Sequence, residues 1–329
     1  MPISAKQVKE LRDRTGLGMM DCKAALQEAD GDLEQAIDAL RRKSALKAAK
    51  KASRTAAQGL LGLKVAADGK RAALVEVNIE TDFAARNPKF IAFVDRVAGA
   101  ALETGADGAE LASFPDRGAR LPRESANAPD DHPLVDLRQR LVSTFAEERE
   151  ALVQEIGENI NVRRAETLVA ETGCIGSYLH NDGRKGALVE LSIDDAELGR
   201  DLAMHITAHD PTPLVVRPDD LDPTVVDKER EVYRAQAEAE AKVEEVAGKK
   251  PKPPEILAKI VDGRVRKFLS EVSLIDQEFV KVSKQKVGKL LSAKGAEARR
   301  FARLEVGEGI AVAEEDFAAE VAAQAAGGS

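Results

Sequence analysis

The stretch DGKRAALVEVNI occupies residues 68–79, and a close copy, DGRKGALVELSI, occupies residues 182–193. In each copy an Asp-Gly pair stands between two apolar runs, which is typical of a hairpin turn whose glycine adopts a positive φ. Each copy is preceded at the same offset by a Gly-x-x-Gly segment, at 59–62 and at 173–176. The repeat therefore predicts two related subdomains that each open with a β-hairpin.

A helix and a further strand are predicted after each hairpin. Apolar residues recur at helical spacing after both, namely at Phe90, Phe93, Val94 and Val97 in the first copy and at Leu198, Leu202 and Ile206 in the second. The strand candidates are 163–168 and 299–304, and each begins with two arginines. Small antiparallel sheets with helices on one face define the α+β fold class, which we predict for this chain.

Composition and periodicity divide the chain into six segments. They are a three-helix domain with a basic linker at 1–54, a first core subdomain at 55–171, the first part of a second core subdomain at 172–224, an antiparallel coiled-coil arm at 225–272, the second part of that subdomain at 273–312, and a C-terminal helical module at 313–329. The stretch 103–133 is rich in Gly, Ala, Pro and Asp and predicts an exposed excursion. A single helix from 134 to about 157 is expected to return from it.

Two helices around a proline-rich tip predict the arm. Val225, Val232, Ala239 and Val246 recur at heptad spacing in the first helix. The second helix carries its apolar residues on one stripe, which consists of Leu257, Ile260, Val261, Val265 and Phe268. Such a thin apolar seam is typical of a projecting coiled coil.

The N-terminal segment predicts three short helices joined by a Gly-Met loop. This bundle resembles the ubiquitin-associated type, which binds partners through that loop and its last helix. Met19 and Met20 of the loop are therefore either exposed for binding or buried as core filling. The following run, Arg41 to Arg54, is basic throughout and predicts a helix or helical linker. It either attracts RNA or the ribosome or is a solvated linker, which the lack of interleaved aromatic residues favours.

The corner Thr81-Asp82-Phe83 comes just after the apolar run that ends at Ile79. One interpretation is that the carboxylate and the ring form a probe that enters a partner. The other is that Asp82 caps the next helix and Phe83 packs beneath it. The matching corner of the second copy, Asp194-Asp195-Ala196, has no aromatic ring, which favours a role outside the shared fold.

Composition excludes several classes of protein. The net charge is −8, aromatic residues make up 3% and there is no tryptophan, so a phosphate-neutralising surface or a base-stacking platform is not expected. Cys22 and Cys174 stand far apart, and the sequence contains neither a membrane-span-length apolar run nor a signal-peptide core. We therefore expect a cytoplasmic protein without a disulfide framework or zinc cluster.

Motifs for catalysis or cofactor binding are not found. The sequence has neither GxxxxGK[ST] nor GxGxxG, so we expect no nucleotide cofactor. His205 and His209 have the i, i+4 spacing of a metal-binding helix but lack the acidic partner of a metalloprotease helix, so we expect no metal. A metal-dependent enzyme remains the least favoured alternative, and the pattern is typical of an interaction protein.

Motifs that resemble the elongation factor Ts family lie along nearly the whole chain. The segment 9–23, which contains KELRDRTG and GMMDCK, is similar to the family's N-terminal signature, and TDFAA at 81–85 is similar to its second signature. Further matches lie at 156–160, 272–274 and 301–309. The family's N-terminal bundle, duplicated core, coiled-coil arm and C-terminal module correspond to the plan predicted above.

This resemblance implies a guanine nucleotide exchange factor for elongation factor Tu in bacterial translation. Such proteins bind the GDP form of their partner, expel GDP and leave when GTP binds. The partner-binding residues that the resemblance implies are Asp82, Phe83, Thr81, Arg12, Met19, Met20, Ile156, Gly157 and His180. Asp82 and Phe83 would disturb the partner's Mg²⁺ site. No direct contact with nucleic acid or membrane is implied, and relatives form either 1:1 or 2:2 complexes.

Overall fold

The computed structural model describes residues 3–104, 133–247 and 252–311. Its helices are α1 (Ala5–Thr15), α2 (Met19–Glu28), α3 (Leu33–Lys51), α4 (Asp82–Ala85), α5 (Pro88–Thr104), α6 (Pro133–Thr144), α7 (Ala146–Ile156), α8 (Ala196–Ala208), α9 (Pro223–Val246), α10 (Pro254–Val272) and α11 (Val287–Ala293). Its strands are β1 (Gln58–Val65), β2 (Arg71–Ile79), β3 (Ile160–Val169), β4 (Cys174–Leu179), β5 (Lys185–Leu191) and β6 (Ala298–Glu305). Most of the predicted excursion at 103–133 and the whole C-terminal module at 313–329 lie outside the described residues.

The described strands form two antiparallel sheets of three strands each, in the orders β1-β2-β3 and β4-β5-β6. Both predicted hairpins are confirmed, with φ of 66° at Gly69 and 68° at Gly183. The third strand of each sheet pairs with a register shift at the same point of the repeat, next to Glu76 in one copy and Glu190 in the other. The α+β fold class is confirmed. The six-segment division remains our interpretation of this architecture.

One glycine in each copy allows a helix to pack closely on the sheet. A Cβ atom at Gly62 would lie 2.9 Å from the carbonyl oxygen of Val94 on α5. The equivalent Cβ at Gly176 would lie 2.2 Å from the backbone of Gly199 on α8. This close approach explains why the second glycine of the Gly-x-x-Gly segment recurs.

The two sheets pack against each other through their other faces. A shared apolar cluster lies between them and includes Leu61, Leu74, Leu168, Ile175, Leu188 and Leu304. The amide of Leu61 donates to the carbonyl of Gly183 at 2.7 Å, and the amide of Ile175 donates to the carbonyl of Gly69 at 2.8 Å. Since these pairs are equivalent positions of the repeat, the two copies are related by an approximate two-fold axis.

A buried glutamate lies between the sheets in the first copy. Glu76 is completely buried and forms ion pairs with Arg163, at 3.1 Å, and with Arg164. Its carboxylate also accepts the amide of Gly307 at 2.8 Å. Arg164 donates onward to the carbonyl of Glu305 at 2.7 Å, so the group joins β2 and β3 to the end of β6.

The second copy repeats this arrangement. Buried Glu190 pairs with Arg299 at 3.2 Å and with Arg300 at 2.6 Å. Arg300 then donates to the carbonyl of Val169 at 2.8 Å, which lies at the end of β3 in the first sheet. Each copy therefore contributes an arginine that binds the third strand of the other copy.

Helix α3 runs through most of the basic run and packs on the core. The hydroxyl of Ser44 donates to Gln154 of α7 at 2.6 Å, and Ala48 belongs to the apolar core of the first subdomain. The helix predicted for this run is therefore confirmed to Lys51, and its basic side chains are mostly exposed, but the helix belongs to the packed bundle rather than to a linker. Small residues at positions 44, 45, 48 and 49 allow this close helix contact, although their partner lies about a hundred residues later.

The helix predicted from 134 to about 157 is two helices. Helix α6 ends at Thr144 and α7 begins at Ala146. At the junction the ring of Phe145 packs edge-on against Phe93, with 5.8 Å between ring centroids. The break places this ring against the first core.

The arm consists of α9 and α10, and the predicted phase of its first helix is wrong. Val232 is 48% exposed and Val246 is 91% exposed. The observed seam instead contains Val226, Tyr233, Ala237, Leu257, Ile260, Val261, Val265 and Leu269. Val226 and Tyr233 also have heptad spacing, and the larger side chain of Tyr233 lies in the seam. The predicted stripe on α10 is confirmed for Leu257, Ile260, Val261 and Val265, whereas Phe268 packs in a separate cluster with Leu221 and Val272. Among the described residues, no helix is both long and apolar enough to span a membrane.

His205 connects α8 to the base of the arm. It is fully buried, and its Nδ1 accepts the amide of Val280 at 3.3 Å while its Nε2 lies 3.0 Å from Gln277 Oε1. Gln277 in turn donates to the carbonyls of Pro211 and Glu271. Because Nδ1 must accept a hydrogen bond, this network requires the neutral imidazole.

Replacing Glu76 with Gln should lower the free energy of unfolding by about 3 kcal/mol, because it removes the buried carboxylate that pairs with Arg163 and Arg164, and only Arg164 keeps another carboxylate partner, Glu308. Urea denaturation at neutral pH measures this change. Glu34→Gln is the control, since Glu34 forms an exposed ion pair with Arg14 and should change stability by less than about 0.5 kcal/mol. Equal stabilities of the two variants would contradict a structural role for the buried group.

The stability of the protein should fall on acidification in a way that depends on His205. Burial lowers the pKa of His205 from 6.5 to about 4. Between these values the unfolded chain binds a proton that the folded chain does not, so the free energy of unfolding decreases by about 1.4 kcal/mol per pH unit as pH falls. This contribution is fully present above pH 6.5 and is lost towards pH 4.

Denaturation of wild type and His205→Gln at pH 7, 6 and 5 tests this dependence. The variant should lack the histidine part of the slope, whatever its stability at pH 7. His180→Gln removes an exposed histidine and should keep the wild-type slope. Parallel slopes for wild type and His205→Gln would contradict the assignment.

Candidate functional site

The corner after β2 is a single helical turn, α4. Thr81 caps it, because its hydroxyl accepts the amide of Ala84 at 3.2 Å. Asp82 is the first helical residue, where its negative charge is favourable, and it forms an exposed ion pair with Arg86 at 3.1 Å. The interpretation of Asp82 as the helix cap is therefore wrong.

Phe83 points away from the protein. Its side chain is 81% exposed, whereas the next two residues, Ala84 and Ala85, are buried in the first core. The interpretation that Phe83 packs beneath the helix is also wrong. The two alanines hold the turn on the core, and the turn presents the ring to the surroundings.

A short segment after α7 holds the corner in place. Glu158 accepts two hydrogen bonds from Thr81, one from the amide at 2.9 Å and one from the hydroxyl at 2.7 Å. Glu80 accepts the amide of Asn159 at 2.6 Å. Sequence reasoning gave Glu80, Glu158 and Asn159 no role. Their roles depend on the β2–β3 register, which pairs Ile79 with Ile160 and which the sequence does not reveal.

Ile156 and Gly157 lie beside this corner. Gly157 ends α7 in the left-handed conformation with φ of 90°, and its amide donates to Val153. Its carbonyl accepts a hydrogen bond from the ammonium group of Lys51, at the end of α3. Ile156 is half-buried against the first core. The structure thus brings Thr81, Asp82, Phe83 and these two residues into one region.

Arg12, Met19 and Met20 form a second exposed region, on the N-terminal bundle. Met19 is 59% exposed and Met20 is 77% exposed, so the prediction that they fill the core is wrong. Leu17 and Cys22, on either side of them, fill the core instead. Arg12 is also exposed, in the last turn of α1.

Helix α7 supports both exposed regions. Lys43 of α3 binds Asp21 of α2 at 3.0 Å, and this hydrogen bond lowers the pKa of Asp21. On the next residue of α3, Ser44 binds Gln154 of α7. The C-terminus of the same helix leads to Glu158 and hence to the corner. The two regions therefore rest on one set of packed helices.

His180 lies on the turn between β4 and β5 and belongs to a third region. It is exposed, and its Nδ1 lies 3.3 Å from the hydroxyl of Tyr178. The same turn binds the first sheet, because the carbonyl of Gly183 accepts the amide of Leu61. Arg184, which follows the turn, also contacts Gln58 of β1 at 2.5 Å.

The basic run has partners within the protein. Arg41 pairs with Glu147 at 3.2 Å, and Arg54 pairs with Glu80 at 3.6 Å. Lys43 and Lys51 bind Asp21 and Gly157, as described above. Cations that are already engaged in this way weaken the alternative of an RNA- or ribosome-binding surface.

The histidine pair does not have the geometry of a metal site. His205 and His209 rings lie close, with 4.8 Å between centroids. Both nitrogens of His205 are engaged by Gln277 and Val280, so neither is available to a metal ion. Burial raises the pKa of the Cys22 and Cys174 thiols, which disfavours their thiolate forms at neutral pH.

Exposed apolar side chains on elements fixed by a packed core are typical of a protein that acts by binding another macromolecule. Comparison with known proteins identifies the family. The family model for elongation factor Ts matches residues 80–308. Elongation factor Ts from Saccharophagus degradans is 48% identical over 327 residues, which cover 99% of both chains. The protein of that name from Alcanivorax borkumensis is 49% identical over 322 residues, 97% of this chain and 100% of the relative. The chain belongs to the elongation factor Ts family of translation elongation factors.

Replacing Phe83 with Ala should leave the free energy of unfolding within about 0.5 kcal/mol of wild type, because the ring makes little contact with the core. Phe90→Ala is the matched control. It removes a fully buried ring seven residues later and should cost about 3–5 kcal/mol. Urea denaturation compares the two. A large loss in Phe83→Ala would show that the ring supports the fold.

Proposed function

We propose that this chain is the guanine nucleotide exchange factor for elongation factor Tu. It binds the GDP form of that partner, promotes release of GDP and dissociates when GTP binds. The observation that carries this proposal is the exposed ring of Phe83 on a turn that the core and Glu158 hold in place. Membership of the elongation factor Ts family supports the choice of partner.

The proposed mechanism is mechanical rather than chemical. Phe83 and Asp82 enter the GTPase domain beside the bound nucleotide and displace the groups around its Mg²⁺ ion. Mg²⁺ requires near-octahedral coordination and bridges protein to phosphate, so a small displacement greatly weakens nucleotide binding. Asp82 adds a negative charge that disfavours phosphate nearby. The chain itself would need neither a cofactor nor a catalytic group.

The exposed regions would bind different parts of the partner. Arg12, Met19 and Met20 would contact a helix of the GTPase domain. Thr81, Ile156 and Gly157 would form the surface around Phe83, and His180 would extend it on the second subdomain. The arm and the C-terminal module would make peripheral contacts, in a 1:1 or 2:2 complex. Exchange during translation places the chain in the cytoplasm, with no direct contact to nucleic acid.

The thermodynamics of exchange require reciprocity. If the factor binds nucleotide-free partner more tightly than the GDP form, GDP must weaken binding of the factor by the same ratio. A rigid corner strengthens binding of the factor to its partner, because little ordering of the factor accompanies insertion of the ring. The same reciprocity lets GTP release the factor.

Catalytic amounts of the chain should accelerate release of labelled GDP from elongation factor Tu. With Phe83→Ala the stimulated rate of GDP release should be at least about tenfold lower. This is the loss expected when an aromatic interface anchor worth at least about 1.4 kcal/mol is removed. Stopped-flow fluorescence with a labelled GDP measures the rate. Ile91→Ala is the control, since Ile91 is also exposed but lies on α5 outside the proposed surface. An unchanged release rate with saturating wild-type protein would overturn the proposed function.

A further inference from the structure

Where β2 ends and β3 begins, each of two glutamates accepts hydrogen bonds from the residue next to the other glutamate. Glu158 accepts the amide and hydroxyl of Thr81, and Glu80 accepts the amide of Asn159. Residues 80–81 follow Ile79 and residues 158–159 precede Ile160, and these two isoleucines form the last pair of the β2–β3 ladder. We call this arrangement of residues 80–81 and 158–159 the carboxylate clasp. It continues the hydrogen bonding of the β2–β3 ladder through side chains.

The clasp controls the only side-chain cap of α4. The Thr81 hydroxyl has one proton, and that proton is directed to Glu158 Oε1. A lone pair of the same oxygen is then directed to the amide of Ala84, which it accepts at 3.2 Å. A four-residue helix cannot persist by its own propensity. The orientation of this turn, and of Phe83 on it, therefore depends on the hydrogen bonds that Glu158 accepts from Thr81, together with the burial of Ala84 and Ala85.

The same segment also contacts the end of α3. The side-chain amide of Asn159 donates to the carbonyl of Arg54 at 2.9 Å, and Arg54 pairs with Glu80. Lys51 binds the carbonyl of Gly157. The clasp thus lies at the junction between the N-terminal bundle and the corner that carries Phe83.

We propose that Glu158 is a positioning residue for exchange, which fixes the direction of Phe83 through Thr81. This inference rests on the proposed function. Glu158 need not contact the partner to act in this way. Its removal should therefore lower the maximal rate of GDP release more than it weakens binding of the factor.

A double-mutant cycle of Glu158→Ala and Phe83→Ala tests the inference. In the wild-type background, Glu158→Ala should lower the GDP-release rate at saturating factor on the order of tenfold, the effect expected from losing hydrogen bonds to a charged group. In the Phe83→Ala background the same change should have a clearly smaller effect, on the order of twofold, because only Asp82 of that turn is then left to position. Glu158→Gln keeps one acceptor and should give an intermediate rate.

Glu155→Ala is the matched control. Glu155 lies in the last turn of α7 and pairs with Lys89 but makes no hydrogen bond to Thr81. Its rate should equal that of wild type, and thermal unfolding checks that each variant is folded. Glu158→Gln provides the test if Glu158→Ala does not fold.

The possible outcomes separate the two proposals. Equal losses in both backgrounds would overturn the positioning role, because they would indicate general damage to the fold. A wild-type rate for Glu158→Ala, together with a slow Phe83→Ala, would overturn the positioning role alone. No acceleration of GDP release by the wild-type chain would overturn the proposed function itself.

Discussion

Two buried glutamates, Glu76 and Glu190, join the two sheets of this protein, and each is held by two arginines of a neighbouring strand. One arginine of each pair continues across to the end of the third strand in the other copy. A buried carboxylate is costly unless it is paired and hydrogen-bonded, and the observed register of the strands places two arginines beside each carboxylate. The relative placement of the two subdomains, and of all that projects from them, follows from that constraint.

The candidate site depends on this rigid base. Phe83 lies on one turn of helix that could not order itself, yet the end of β2, two buried alanines and Glu158 hold it. Met19 and Met20 are exposed on a bundle that packs on α7, and α7 leads directly to Glu158. Binding energy gained at such side chains is not spent on ordering them.

Local patterns predicted the parts of the structure that local chemistry decides. The Asp-Gly turns at 68–69 and 182–183 need only a positive φ between two apolar runs, and both hairpins are confirmed. The predicted phase of α9 was wrong because two sets of residues have heptad spacing, one with Val225 and Val232 and one with Val226 and Tyr233. Only packing against α10 decides which set lies in the seam. The sequence left open whether Met19, Met20 and Phe83 are exposed, since that depends on which neighbouring residues fill the core. The role of Glu158 could not be predicted without the register that places it opposite Thr81.

The arm and the segment that contains α6 and α7 share a topological position. Both are inserted between the helix that follows a hairpin and the third strand of the same sheet. This connection lies on the helical side of each sheet, away from the buried glutamates. The duplicated core therefore has two connections at which a long insertion does not disturb the buried ion pairs between the two sheets. One connection contains the two-helix arm and the other contains the helices that lead to Glu158 beneath Phe83, so the two halves of an internally repeated core carry different structures on the same side.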